Sequence, residues 1–158
     1  MKLNFTSTSS KLKKASNSTP FFSLKNKFKL CKVVDVYDGD SCKVVFSLRG
    51  EVNKWTIRLK GYDTPELRPS KLKENREEEI ACAKKARDYL SKLVMNEGQL
   101  VYIKCGDFDK YGRLLGTLFL KEKDVLSVNQ MMIDNGHGYK YDGGKKKNFG
   151  ENKNVKII

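Results

Sequence analysis

Five residues in this 158-residue chain have the types and spacing for cation and phosphate chemistry: Asp40 in "DVYDGDSC", Arg58 in "KWTIRLK", Asp63 and Glu66 in "GYDTPE", and Arg113 in "DKYGRLL". Asp40 ends an Asp-Gly turn, Asp63 follows a run of strand formers, and Glu66 comes three residues later, across Pro65. Proline holds its own φ and biases the residue before it, Thr64, toward extended backbone, so Asp63, Thr64 and Glu66 belong to a stiff corner. Carboxylates beside a backbone carbonyl form the oxygen-rich set that a hard cation such as Ca²⁺ or Mg²⁺ prefers. A guanidinium grips phosphate through paired hydrogen bonds and never loses its charge, so Arg58 and Arg113 together could hold a phosphodiester and stabilise the charge that builds in its transition state. Singly, each piece has a plainer reading, since Asp-Gly-Asp is a hairpin turn, "DTPE" starts a helix, and arginines end many strands. The joint reading depends on the fold bringing them together.

The elements that must do so are legible from periodicity. "CKVVDVYDGDSCKVVFSL" reads as two strands joined by an Asp-Gly turn. "KWTIRLK" alternates Trp55, Ile57 and Leu59 on one face with Thr56, Arg58 and Lys60 on the other, so Arg58 points away from the apolar row. From Glu77 to Met95 the period turns helical: Ile80, Ala83, Ala86, Leu90, Leu93 and Val94 make one stripe, with glutamates in the first turn and Gly98 as a stop. "LVYIKC" and "GRLLGTLFL" are two further strands, and a second helix is expected from Val125 to Asn135, capped by Asp124 and stopped by Gly136. Three strands, a helix, two strands and a helix predict a mixed α/β, mainly β fold. The expected form is a five-stranded Greek-key barrel of the OB type, with one helix between strands three and four and another after strand five.

Charge divides the chain differently. The net charge of +13 suggests a polyanionic partner such as nucleic acid, yet residues 1–30 supply +7 of it and residues 143–158 another +4. The expected organisation is a basic, disordered N-terminal arm over residues 1–30, a folded domain over 31–142, and a basic C-terminal tail over 143–158. No apolar run is long enough to cross a membrane, and the opening "MKLNFTSTSSKLKK" lacks the apolar stretch of a secretory signal, so an intracellular location is expected. The arm is rich in serine and threonine and free of acids, but it uses lysine where transit peptides favour arginine, which weighs against organellar targeting. Cys31, Cys42, Cys82 and Cys105 form no CxxC pair and have no adjacent histidines, so buried thiols are expected rather than a zinc site.

Read in order, "DGDS", "IRLKGYDTPE" and "DKYGRLLGTLF", with a helix between the second and third, resemble the staphylococcal nuclease (thermonuclease) family over residues 31–142. The resemblance implies a Ca²⁺-dependent endonuclease that hydrolyses DNA and RNA to products with 3′-phosphates. It implies that Asp40, Asp63 and the backbone carbonyl of Thr64 hold the metal, that Glu66 activates the attacking water, and that Arg58 and Arg113 bind the phosphate. Lys110 and Tyr111 would line the nucleotide pocket. A pocket tyrosine is expected in "GHGYKYDGG", which offers both Tyr139 and Tyr141, with Tyr141 favoured. Ser41 stands where the family usually has threonine, which keeps the hydroxyl. His137 has no part in the family's chemistry and is expected at the surface. Nucleic acid is the implied partner and a monomer the implied state. The alternative is a barrel of this family that binds nucleic acid or protein without chemistry, which would have no need of all five residues.

Overall fold

The computed structural model describes residues 5–149. Five strands close into a barrel: β1 (Phe28–Val36), β2 (Ser41–Leu48), β3 (Glu51–Leu59), β5 (Val101–Phe108) and β6 (Leu114–Phe119). Their order around the barrel is β1-β2-β3-β6-β5, with β5 returning to β1; β3 and β6 run parallel, and every other pair is antiparallel. This is the expected OB-type barrel. Helix α2 (Arg76–Val94) lies between the third and fourth barrel strands, and α3 (Val128–Asp134) follows the fifth.

Alternation fills the interior. Ile57 and Leu59 from β3, Val101 and Ile103 from β5, and Leu114 and Leu118 from β6 are all fully buried, while Arg58, Tyr102 and Leu115 between them face outward. Each such side chain contributes roughly 1.5–3 kcal/mol of burial free energy. The β2–β3 hairpin turns at Arg49 and Gly50, both with left-handed backbone (φ +55° and +88°), as a two-residue hairpin with right-handed strand twist requires. Helix α2 turns Cys82, Ala83, Ala86, Leu90 and Val94 inward, and Glu79 one turn earlier takes the buried position next to Ile80. All four cysteines are buried free thiols.

The structure differs from the sequence reading in three places. Helix α3 starts at Val128 rather than Val125, because Ser127 supplies the cap by accepting a hydrogen bond from the Gln130 N–H, while the Asp124 carboxylate accepts from Lys121 N in the turn before it. Two three-residue strands, β4 (Gly61–Asp63) and β7 (Tyr139–Tyr141), pair into a separate small sheet that periodicity could not reveal. The N-terminal segment holds helix α1 (Phe5–Lys13), Leu24 reaches the core, and β1 opens at Phe28, paired opposite Lys104. One lysine that read as part of a solvated arm, Lys29, lies on a barrel strand. Residues 1–4 and 150–158, the ends of the expected arm and tail, lie outside the described residues.

Asn129 of α3 ties helix to barrel. Its buried side-chain carbonyl accepts from Leu118 N at 3.0 Å, and its amide donates to the Lys60 and Gly116 carbonyls at 2.9 and 3.1 Å. Replacing it by Ala strands the Leu118 N–H and the Lys60 carbonyl, while Gly116 O keeps its bond from Lys60 N, so the Asn129→Ala protein should lose about 1–3 kcal/mol in urea unfolding. An unchanged midpoint would show that the bonds are redundant.

Candidate active site

Local packing places the acids. In the β1–β2 turn, Asp40 N donates to the Asp38 side chain, Tyr37 N donates to Ser41 O, and Leu59 N on β3 donates to Asp40 O. Gly39 is needed here for space: a Cβ would sit 2.7 Å from the Ala86 Cβ and 2.9 Å from the Thr64 Cγ2, so the turn is pressed between α2 and the acidic corner. The buried Tyr62 hydroxyl donates to Gly39 O at 2.7 Å and locks turn and corner together. Pairing of β4 with β7 sets Asp63 opposite Tyr139, whose hydroxyl donates to Asp63 Oδ2 at 2.9 Å. Burial, followed by that bond to a carboxylate, pushes the Tyr139 phenol up to about 12, so it remains a donor.

These constraints make Asp40 and Asp63 converge. Arg58 Nη2 lies 3.0 Å from Asp40 Oδ2 and 2.8 Å from Asp63 Oδ1, and Nη1 donates to the Leu59 and Tyr62 carbonyls. Thr64 Oγ1 donates to Asp40 Oδ2 at 3.4 Å, and the Ser41 hydroxyl to Asp40 Oδ1 at 2.9 Å. Burial pushes the Asp40 carboxyl up to about 8; Arg58 pulls against this, while Asp38 and Asp63 add to it. Among the described residues no three His, Cys, Asp or Glu side chains gather around one point. The acids here are a pair joined by Arg58, with the Ser41 and Thr64 hydroxyls on Asp40 and the Tyr139 hydroxyl on Asp63.

Glu66 stands half exposed at the mouth, its backbone N–H held by the buried Glu79 Oε1 at 3.3 Å; Lys73 pairs with the other Glu79 oxygen at 2.6 Å. Lys146 reaches in from the C-terminal segment, its Nζ 2.7 Å from Glu66 Oε1 and 3.2 Å from Asp63 Oδ1. Burial works against the Lys146 charge, but these two carboxylates outweigh it and raise the pKa. On the other side the β5–β6 loop closes with Gly112 at φ +78°. Asp109 accepts from the backbone N–H groups of Tyr111 and Arg113 and pairs with Arg113 Nε at 2.7 Å, which aims that guanidinium. A cleft of about 810 Å³ opens among these groups, and Asp40, Arg58, Glu66, Arg113, Lys110, Tyr111 and Tyr141 all line it.

The sequence-predicted residues are thus brought to one place. Asp63 sits just behind the cleft wall formed by Thr64 and Glu66, facing Tyr139 and Lys146. Tyr141 lines the cleft and donates to Gly144 O, whereas Tyr139 is committed to Asp63. His137 is half-buried and stacked on Tyr89 at 4.3 Å, in a different hollow. Sequence reasoning missed Glu79, Asp109 and Lys146. Glu79 read as a helix-dipole acid, Asp109 as loop polarity and Lys146 as tail charge; only the "D-x-x-x-R" spacing of Asp109 and Arg113 offered a local signal.

An OB-type barrel with a carboxylate pair, two guanidiniums and an exposed glutamate around one cleft defines a candidate phosphodiester site. The family model described as "Staphylococcal nuclease homologue" matches residues 56–156, and the chain belongs to that family. It is 32% identical over 112 residues, 69% of this chain, to "Endonuclease YhcR" of Bacillus subtilis (strain 168). It is also 27% and 30% identical over 88 residues to "Probable staphylococcal-like nuclease CAN2" and "Probable staphylococcal-like nuclease CAN3" of Oryza sativa subsp. japonica, 56% of this chain in each case. The match spans 9% of the Bacillus protein and 20% and 19% of the rice proteins. Among the described residues no helix is long and apolar enough to cross a membrane.

Burial alone would raise the Asp109 carboxyl, but hydrogen bonds from the backbone and side chain of Arg113, then from Tyr111, outweigh it and lower the pKa below its ordinary 3.8. A lowered acid binds its proton later in the fold than in the unfolded chain. Its stabilisation is therefore present above the unfolded value and lost as pH falls through the folded one. Asp109→Asn should flatten the fall of Tm with pH on that acid limb, and parallel Tm curves for the two proteins would refute the pairing.

Proposed function

We propose that this domain is a Ca²⁺-dependent endonuclease that hydrolyses DNA and RNA to products carrying 3′-phosphates. The observation that carries this reading is the convergence of Asp40 and Asp63 on one point beside Glu66, with Arg58 and Arg113 on the same cleft. The donor set suits a hard cation: two carboxylates, with the Thr64 carbonyl as third ligand and water for the remainder. Two observations support the fit. Arg58 already stands between the pair as a cation, and a second cation, Lys146, reaches Asp63. When bound, Ca²⁺ would neutralise phosphate charge and orient the scissile group.

The chain's own residues do the rest. Glu66, its backbone held by Glu79 and its side chain at the cleft mouth, takes a proton from the attacking water as that water's oxygen bonds to phosphorus and the 5′-oxygen leaves, taking up a proton from solvent. Arg58 and Arg113 bind the non-bridging oxygens and stabilise the charge that accumulates there; Asp109 keeps the Arg113 fork in one orientation. Lys110 and Arg113 both lie over the Tyr111 ring, at 5.0 and 5.6 Å, so that exposed ring is held where, with Tyr141, it lines the nucleotide pocket. Lys146 must release Glu66 for that carboxylate to act as a base.

Glu66→Gln should cut the rate of plasmid and RNA cleavage by about 10²- to 10⁴-fold while leaving the unfolding midpoint in place. Chelation of Ca²⁺ should abolish cleavage by the native protein. Equal rates for the Gln variant and the native protein would remove Glu66 from the base role, and cleavage that survives chelation would remove the metal from the reaction.

A further inference from the structure

The outer face of β6 leads away from the cleft. Leu115, beside Arg58 in the β3–β6 pairing, lines the cleft; Thr117 and Phe119 follow it on the same face, so Phe119 lies about 13 Å further along the strand. Across the β5–β6 ladder, Lys104 stands opposite Thr117 and Tyr102 opposite Phe119; across β1–β5, Phe28 stands opposite Lys104 and Leu30 opposite Tyr102. The rings form one cluster: Phe28 stacks on Tyr102 at 5.5 Å with planes 15° apart and meets Phe119 at 5.9 Å. Phe28 is 42% exposed and Leu30 49%. Lys104 and Lys32 are exposed beside this patch, and no acid interrupts the outward-facing positions of the three strands from Leu115 to Phe119, Gly106 to Tyr102 and Phe28 to Val34.

Scattered exposed apolar residues need no explanation, but three touching rings on an open sheet face do. Lysines along a row of rings are the combination that holds single-stranded nucleic acid, with bases stacking on the rings and ammonium groups tracking the phosphates. We infer that Phe28, Tyr102 and Phe119, with Lys104, form a stacking platform for the single strand that runs out of the cleft, binding the nucleotides that flank the scissile phosphate. Two observations favour this occupant over a protein: the platform is continuous with the cleft through Leu115 and Thr117, and its charge is basic throughout. The inference rests on the nucleic-acid reading of the cleft and extends that cleft's contacts along the sheet face beyond the scissile phosphate.

Binding in the presence of a chelator separates this claim from catalysis. Fluorescence anisotropy would compare a labelled oligothymidylate of about twelve nucleotides with a labelled trinucleotide. Phe28→Ala should weaken the longer probe by about 5- to 100-fold and leave the trinucleotide unchanged; Phe28→Trp should restore the loss. Lys104→Gln should reduce the slope of log affinity against log salt by about one. Circular dichroism identifies any variant that fails to fold, in which case Lys104→Gln decides alone. Equal affinity of Phe28→Ala and native protein for the longer probe would overturn the platform. So would a native dimer that Phe28→Ala converts to a monomer in sedimentation, since the patch would then join two copies of the chain. Failure of the nuclease reading would appear separately, as cleavage indifferent to Glu66.

Discussion

Two carboxylates held out of water at one point are the constraint around which this structure is arranged. Asp40 and Asp63 come from segments more than twenty residues apart, and burying both together is costly unless positive charge joins them. Arg58 supplies part of that charge from the outward face of β3, between the interior positions of Ile57 and Leu59. Much of the surrounding fold serves to keep the pair close. Gly39 lets the first turn pack against α2, Tyr62 ties that turn to the corner, and the β4–β7 pairing brings Tyr139 onto Asp63.

The supporting groups come from elements remote in sequence. Glu79 reaches from the first turn of α2 to the Glu66 backbone, Asp109 reaches across its own loop to Arg113, and Lys146 returns from beyond β7 to touch two acids. This arrangement places the buried acids on strands and turns of the barrel and leaves the exposed glutamate, Tyr111 and Lys146 at the rim, where side chains can rearrange. On the proposed reading, in which the site holds a cation and a nucleic acid, that division would serve both.

The barrel was legible because strand alternation is local. Trp55, Ile57 and Leu59 announce their own face, and the outward direction of Arg58 follows at once. The long helix was legible to within a residue at each end from its stripe and from Gly98 beyond it. What escaped was non-local or short. Strands β4 and β7 are three residues each and exist only because they pair with each other. Lysines at 27 and 29 flank the first residues of a strand whose pairing with β5 composition cannot show, and Lys146 belongs to a segment whose charge pattern reads as tail. The site acids were legible as types and spacing, since they sit at turn positions that local signals mark; their buttresses were not, because Glu79 and Asp109 carry no mark in sequence that separates them from ordinary surface acids.

The convergence of Asp40 and Asp63 can be tested without any cleavage. Calorimetric titration of the protein with Ca²⁺ should give a single binding event that vanishes in Asp63→Asn, with the Tyr139 contact retained through the amide oxygen so that the fold persists. Identical isotherms for the native protein and the variant would contradict a cation site at this pair, and with it the reading of the cleft built around it.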